Sequence, residues 1–397
     1  MITDVYFPRI NGVSTSVSTF ISQLVRIGHH VTLIAPMYGV DDDEESPDFE
    51  ILRIPARKVV FDPEDRLMKR NLIDLHFKHL SRQKFDILHI HTPFVAHYAG
   101  IKLARSLEIP VVETYHTYFE EYLYYYLRFL PKKSLQWLAR RYTRAQSRDV
   151  DSMIVPSSLM RKVLIDYGVD TPMCIIPTGL ENDRFEGGDG EQFRKKNDIS
   201  LNRPVLCHVG RSAYEKNIDF LLDMLVVVKG QIPDILLILA GEGPAQQHLK
   251  NRTEKLELGN NIRFMNYLDR DTELKDCYCA GDIFVFASRT ETQGLVLLEA
   301  MALGVPVVST AVLGTVDILK SEQGAIIAQE DIDDFSQKVI TLLSDRELHQ
   351  NKSTEAVAFA HTWSAEKLAL ELCEFYQEVK SPGKTLSIAM NQVSDSI

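Results

Sequence analysis

Glu291 and Glu299, with seven residues between them, stand in the stretch 288–306, SRTETQGLVLLEAMALGVP. A carboxylate accepts hydrogen bonds from sugar or ribose hydroxyls. Residues 282–287, just before, are short, apolar and aromatic-rich, the pattern of a buried strand. Residues 295–303 read as a helix, stopped by Gly304 with Pro306 just beyond. Thr292, Gln293 and Gly294 make the turn between them. The helix therefore opens at Gly294 and Leu295 with free backbone N–H groups and the positive end of its dipole, an anion site. Carboxylates for hydroxyls beside N–H groups for phosphate suit a nucleotide sugar. Alone, two glutamates at this spacing read as well as solvated surface residues.

A second constellation is Gly210-Arg-Ser-Ala-Tyr-Glu-Lys216-Asn217, which follows an expected strand at 205–209. Arg211 offers a planar donor fork and Lys216 a compact point charge, both suited to phosphate. Open α/β sheets bind ligands at the C-terminal ends of their strands, which is where these two fall. A solvated surface pair is the plainer alternative. Gly241-Glu-Gly243-Pro244 is a strand-to-helix turn that lets backbone approach a ligand closely, and Pro244 suits a first helical turn. Gly12, in the 8–14 loop, allows the same approach ahead of a helix expected at 14–26, capped by Ser14 or Thr15. His116 ends an expected strand at 111–115; a lone histidine there is more often a satisfied core residue.

These motifs resemble a known family. Glu291-Thr-Gln-Gly-Leu-Val-Leu-Leu-Glu299-Ala-Met-Ala-Leu-Gly-Val-Pro306 is similar to the E-x7-E signature of family 4 retaining glycosyltransferases, which have the GT-B fold. Gly-Arg-x4-Lys-Asn at 210–217 resembles the family's diphosphate clamp. The resemblance runs from Pro8 to about residue 376. It implies two Rossmann-like doubly wound domains facing an interdomain cleft that closes on its ligand. It implies that Arg211 and Lys216 stabilise the leaving diphosphate, that Glu291 holds donor-sugar hydroxyls and Glu299 the ribose, and that His116 bonds a sugar hydroxyl. Gly12, Gly210, Gly241, Gly294 and the backbone at Tyr267 and Leu268 would line the donor. One glycine stands in the first loop where many members have two. The chain also enters its first strand at once, so that strand is short or the start lies upstream.

The region 118–148 changes character. Between Tyr122 and Arg148 there are seven basic residues and no acidic one. Lys132, Lys133, Arg140, Arg141 and Arg144 accompany Leu135, Trp137 and Leu138, while Tyr118 and Tyr122 open an aromatic run. A basic, aromatic-bearing amphipathic segment in an acidic protein fits an anionic membrane surface. A surface helix over a core is the plainer alternative. His91-Thr-Pro-Phe94, Tyr115-His116-Thr-Tyr118 and the aromatic run look most like bacterial diacylglycerol glucosyltransferases. That resemblance implies a lipid acceptor, with a peripheral place on the inner face of the cytoplasmic membrane.

Length and composition bound the reading. At 397 residues, 45% apolar and 25% charged, the chain can build two or three domains. A net charge of −11 argues against a nucleic-acid partner. Residues 1–190 carry 23 basic and 25 acidic residues, so the remainder is the more acidic part. No apolar run approaches a membrane span, and the N-terminus lacks a signal-peptide pattern. Five sparse cysteines read as reduced thiols, and Cys277-Tyr-Cys279 has the wrong spacing for a zinc knuckle. Asp41-Asp-Asp43 and Asp269-Arg-Asp271 match Asp-x-Asp literally but read as a surface loop and a turn, so neither metal nor cofactor is expected. Strands alternate with helices at 2–7, 31–35, 51–54, 87–91, 111–115, 152–155 and 174–176, with helices at 67–80 and 96–107. A second set of strands follows at 205–209, 236–240, 262–265, 283–287, 307–309 and 325–327. The glycine-rich 186–190 reads as the linker, dividing 1–185 from 186–364. The resemblance returns an amphipathic helix at 365–380 to the first domain, and 381–397 reads as a disordered tail.

The expected activity is transfer of a hexose, glucose from UDP-glucose first, to an acceptor such as diacylglycerol. The alternatives are a GDP-mannose-dependent transferase acting on a polyprenyl-linked sugar or phosphoinositide, a nucleotide-sugar 2-epimerase, and a non-catalytic binding protein.

Overall fold

The structure, a computed structural model, describes residues 1–39, 48–59, 65–116, 118, 132–270 and 272–381. The chain separates into two compact units. Residues 1–179 join the Ala365–Lys380 helix in one, and Leu180–Ser364 form the other.

In the second unit six parallel strands run β9 (Val205–Val209), β10 (Leu236–Ala240), β11 (Ile262–Met265), β12 (Ile283–Phe286), β13 (Val307–Thr310) and β14 (Ala325–Ala328). They are ordered β11-β10-β9-β12-β13-β14 in space. This is a doubly wound sheet whose strand order reverses between β9 and β12. The apolar runs VLCHV, LLILA and IFVF are buried along their whole length, as central parallel strands covered on both faces must be. Leu206, Leu237, Leu239, Ile283 and Val285 pack on one side with the Ile218–Gln231 and Ile332–Ser344 helices. Val205, Cys207, Ile238, Phe284 and Phe286 pack on the other with the Leu295–Ala302 helix.

The 186–190 segment lies inside this unit instead of joining the two. A Cβ on Gly190 would stand 2.1 Å from the Cys279 carbonyl oxygen, so glycine there lets the Gly190–Lys196 helix lie against the Glu273–Ala280 helix.

The first unit holds β1 (Thr32–Pro36), β2 (Glu50–Ile54), β3 (Ala56–Lys58), β4 (Arg66–Met68), β5 (Leu88–Ile90), β6 (Val111–Thr114), β7 (Ser152–Val155) and β8 (Met173–Ile175). The strand expected at 2–7 shrinks to one residue. Ile2 bridges Ile34 of β1 and Ile90 of β5 in parallel and joins β2-β1 to β5-β6-β7-β8. Polar Thr3 and Asp4 then turn away into hydrogen bonds with Val5 and Thr92. The helix expected at 67–80 also changes. Residues 66–68 pair antiparallel with β3, and the helix starts at Arg70. The Ala365–Lys380 helix packs Leu372 and Phe375 against Phe20, Leu24, Val112 and Ile154 of this unit. The expected tail at 381–397 falls, after Ser381, outside the described residues.

Candidate functional site

The strand-order reversal in the second unit dictates where its charged groups gather. The loops leaving β9 and β12 emerge side by side, because β12 pairs directly with β9. One carries Gly210-Arg211 through Lys216, the other Ser288 through Gly294. Lys216 Nζ bonds Glu291 Oε1. Asn217, in the left-handed conformation with φ 55°, ties the loops again, its amide donating to Ala287 O at 3.2 Å and Glu330 Oε1 at 3.3 Å. Arg289 holds the same Glu330 through Nε at 2.8 and 3.0 Å. The geometry thus brings together Lys216 and Glu291, which sequence alone places 75 residues apart. Both are mostly buried, with side chains 21% and 17% exposed.

Gly294 takes φ 100°, ψ 52° at the start of the Leu295–Ala302 helix. No side chain caps the helix, and of its first-turn N–H groups Leu297 N donates to Gly294 O at 3.0 Å. Gly314 N donates to Glu291 O at 2.9 Å and fixes the turn from behind. Gln293 is buried and Thr292 half-buried beside it. Arg211 is half-buried on the neighbouring loop. Across from it, a Cβ on Gly241, which has φ 123°, would stand 2.2 Å from Gly210 O. Ser212 laces these turns together, its hydroxyl donating to Gly241 O at 2.8 Å and its N–H to Glu242 O at 3.0 Å. Tyr267, at the end of β11, is exposed, and Leu268 packs on the core.

Glu299 lies within its helix and is buried. Tyr278 donates its phenol to Oε2 at 2.8 Å, and Arg270 Nη2 bonds Oε1. Sequence reasoning missed both partners. Arg270 stood in view only as the middle of Asp269-Arg-Asp271. Of that trio, Asp269 accepts from Thr272 N at 3.1 Å and Oγ1 at 2.7 Å, as a turn residue does, while Asp271 lies outside the described residues, as do Asp41, Asp42 and Asp43. Among the described residues no group of three His, Cys, Asp or Glu side chains is placed to hold a metal. His208, on β9, was also missed. Its Nδ1 donates to Val285 O at 3.1 Å, and burial, with the Lys216 charge nearby, lowers its pKa to about 4.

In the first unit, Gly12 is the first residue of the Gly12–Ile27 helix, and open space surrounds the position of its missing Cβ. The cap is Asn11, not Ser14 or Thr15. Asn11 Oδ1 accepts from Val13 N at 3.0 Å and Ser14 N at 2.9 Å, while Ser14 Oγ accepts from Asn11 N at 2.9 Å. His116 Nε2 lies 3.2 Å from His91 Nδ1, and burial lowers the His116 pKa to about 4. The His91 ring in turn lies tilted, 3.9 Å between centroids, against His89, which bonds Tyr376 OH and Thr114 Oγ1, each at 2.6 Å. Burial lowers the pKa of both of these histidines too, and the charges of neighbouring histidines add to the effect.

The basic segment forms the Lys132–Ser147 helix, which lies over the core along one face, as the plainer reading has it. Leu135, Ala139 and Thr143 are buried against the unit. Trp137 and Leu138 are 62% and 50% exposed, among exposed Lys133, Arg140, Arg141 and Arg144. Arg141 lies over the Trp137 ring at 5.7 Å and Arg140 over Tyr167 at 5.1 Å. Tyr118 packs partly on the core. Tyr122 and the side chain of Lys132 lie outside the described residues. No helix among the described residues is long and apolar enough to cross a membrane.

Comparison with known proteins agrees with this architecture. Residues 10–184 match the model "Glycosyltransferase Family 4", and residues 189–358 match "Glycosyl transferases group 1". The chain is 33% identical over 317 residues to an alpha-monoglucosyldiacylglycerol synthase of Streptococcus pneumoniae, covering 78% of this chain and 70% of that one. It is 27% identical over 391 residues to a GDP-mannose-dependent alpha-mannosyltransferase of Corynebacterium glutamicum, covering 96% and 88%. The Anabaena protein HepE, solved in complex with UDP-glucose, superposes with a TM-score of 0.75 at 15% identity, covering 95% of this chain and 99% of that one. With two doubly wound parallel sheets and these relatives, the chain belongs to the family 4 glycosyltransferases of GT-B fold.

Proposed function

We propose that this glycosyltransferase moves a hexose from a nucleotide sugar, glucose from UDP-glucose in the first instance, to a membrane lipid such as diacylglycerol, with retention of configuration and without a metal. The observation that carries the donor side is the meeting of Lys216 with Glu291 beside the uncapped helix start at Gly294. As the bond from the anomeric carbon to the diphosphate breaks, its electron pair leaves on the phosphate oxygen. Arg211, Lys216 and the N–H groups at Gly294 and Leu295 stabilise that charge. The acceptor hydroxyl attacks on the same face, and the departing phosphate oxygen takes its proton, so no side chain serves as a covalent nucleophile. Glu291 holds sugar hydroxyls and Glu299 the ribose. His116, with its lowered pKa, is a neutral hydrogen-bonding partner for the sugar instead of a charged one. The turns at Gly12, Gly210 and Gly241, with the backbone at Tyr267 and Leu268, line the donor.

The lipid acceptor is supported by the exposed Trp137 and Leu138 set among cations, and by the relative from Streptococcus pneumoniae. Such a face draws the enzyme to an anionic membrane, on its cytoplasmic side. The second reading, transfer of mannose from GDP-mannose, draws on the Corynebacterium relative, whose match spans nearly the whole chain. Incubating the protein with vesicles of diacylglycerol and an anionic lipid, plus UDP-glucose or GDP-mannose, separates the two. An α-glucosyl lipid from UDP-glucose is the expected product. A mannosyl product supports the second reading, and a β-anomer contradicts retention.

A further inference from the structure

Glu299 is 5% exposed, and a carboxylate so buried needs partners. Its two differ in kind. Tyr278 is 2% exposed, packs 5.7 Å from the Phe284 ring, and donates to Oε2 from inside the core. Burial and the Glu299 charge drive its pKa well up, so it stays a donor. Arg270 reaches Oε1 from the loop after β11, with its side chain 24% exposed and its own carbonyl held by Arg184 Nη1 at 2.6 Å. The enclosed phenol has nowhere to go, whereas the guanidinium sits at the rim. Arg270 occupies the acceptor position on Oε1 that faces its loop, the one through which ribose hydroxyls would come.

We propose that Tyr278 and Arg270 are positioning residues for the donor's ribose: Tyr278 fixes one oxygen of Glu299 throughout, and Arg270 covers the other until the ribose hydroxyls replace it. This rests on the reading that Glu299 receives the ribose. Arg270 keeps the buried carboxylate paired before the nucleotide arrives, which matters because a buried charge stripped of its partner is costly. The nucleotide must displace that guanidinium, so Arg270 weakens binding while steadying the free protein.

The test is calorimetric titration of the full chain with whichever of UDP, GDP and ADP raises its melting temperature most, and with inorganic pyrophosphate, which lacks ribose. Tyr278→Phe is expected to weaken nucleotide binding about tenfold, the scale of one hydrogen bond to a charged group, and to leave pyrophosphate unchanged. In a Glu299→Gln background the same change should cost less than about twofold, as a residue acting through Glu299 must. Arg270→Met should melt lower without nucleotide and bind nucleotide severalfold tighter. Tyr278→Phe binding as wild type, full additivity with Glu299→Gln, or weaker binding by Arg270→Met overturns the proposal while leaving the ribose reading intact. Wild-type affinity in Glu299→Gln itself overturns that reading and the positioning role together.

Discussion

The turn around Glu291 in the second unit and the histidine cluster around His116 in the first both lie at C-terminal ends of parallel strands, yet they are built on opposite electrostatic plans. The first is a set of paired opposite charges, Lys216 with Glu291 and Arg270 with Glu299. The second is a row of imidazoles, His89, His91 and His116, kept neutral by burial. Charges that pair with each other can re-pair with a diphosphate and its hydroxyls. Neutral rings suit an uncharged sugar and a surface that must shed water. The difference teaches that one unit gathers charge in opposed pairs while the other buries titratable rings in their uncharged form.

The largest effect that could break this comparison is on catalysis. Arg211→Ala or Lys216→Ala should each lower the transfer rate by roughly 100-fold, the scale of one lost preorganised donor. His116→Asn, which keeps a hydrogen-bonding group, should lower it less. A larger loss at His116 than at Lys216 in initial-rate assays would reverse the assignment of roles.

The strand-turn-helix around Glu291 was legible in the sequence, and the reason is local. Glu291, Gly294 and Glu299 sit on one strand-turn-helix, so their spacing alone fixes their placement. The pairing of Lys216 with Glu291 was not legible, because it depends on β12 lying beside β9, an order that no spacing encodes. The partners of Glu299 were invisible because Tyr278 meets it through a contact between the Glu273–Ala280 and Leu295–Ala302 helices and Arg270 from the loop after β11, and no spacing encodes either. The first unit was harder. Ile2 alone completes its sheet, which no run of alternating residues reveals, and Leu67 and Met68 read as helix because both are good helix formers, until β3 claims them. His89 and Tyr376 are neighbours only because the last helix packs back on the first unit.

The next effect is on stability. Folded His89, His91, His116 and His208 all titrate below the ordinary value of 6.5, the last two at about 4. As pH falls through 6.5 the unfolded chain takes up protons that the folded chain refuses, so stability falls. Asp4, raised to about 6, acts in the opposite sense with Glu113, Glu371 and His97, also raised, while Glu50, Glu273, Asp334 and Glu355, all lowered by hydrogen bonds, add to the loss. The melting temperature should therefore drop between pH 6.5 and 4. Replacing His208 with Phe, beside Phe284 and Phe286, should shallow that slope by about one proton, 1.4 kcal/mol per pH unit. An unchanged slope would mean that His208 titrates normally.

The last effect concerns the proposed membrane face. Each basic residue near an anionic surface contributes about 1 kcal/mol. Arg140→Gln with Arg141→Gln should weaken sedimentation with anionic vesicles by roughly 10- to 30-fold, and salt should mimic the change. Binding that ignores both salt and lipid charge would remove the membrane from the account.

The central claim is that the Arg211–Lys216 loop and the helix start at Gly294 grip the diphosphate of the donor. The direct test is the affinity of UDP relative to uridine, measured calorimetrically in wild type and Lys216→Ala. A strong preference for UDP in the wild type, cut by about 100-fold in the variant with uridine affinity unchanged, is the predicted result. Equal preference for UDP in both proteins would contradict it.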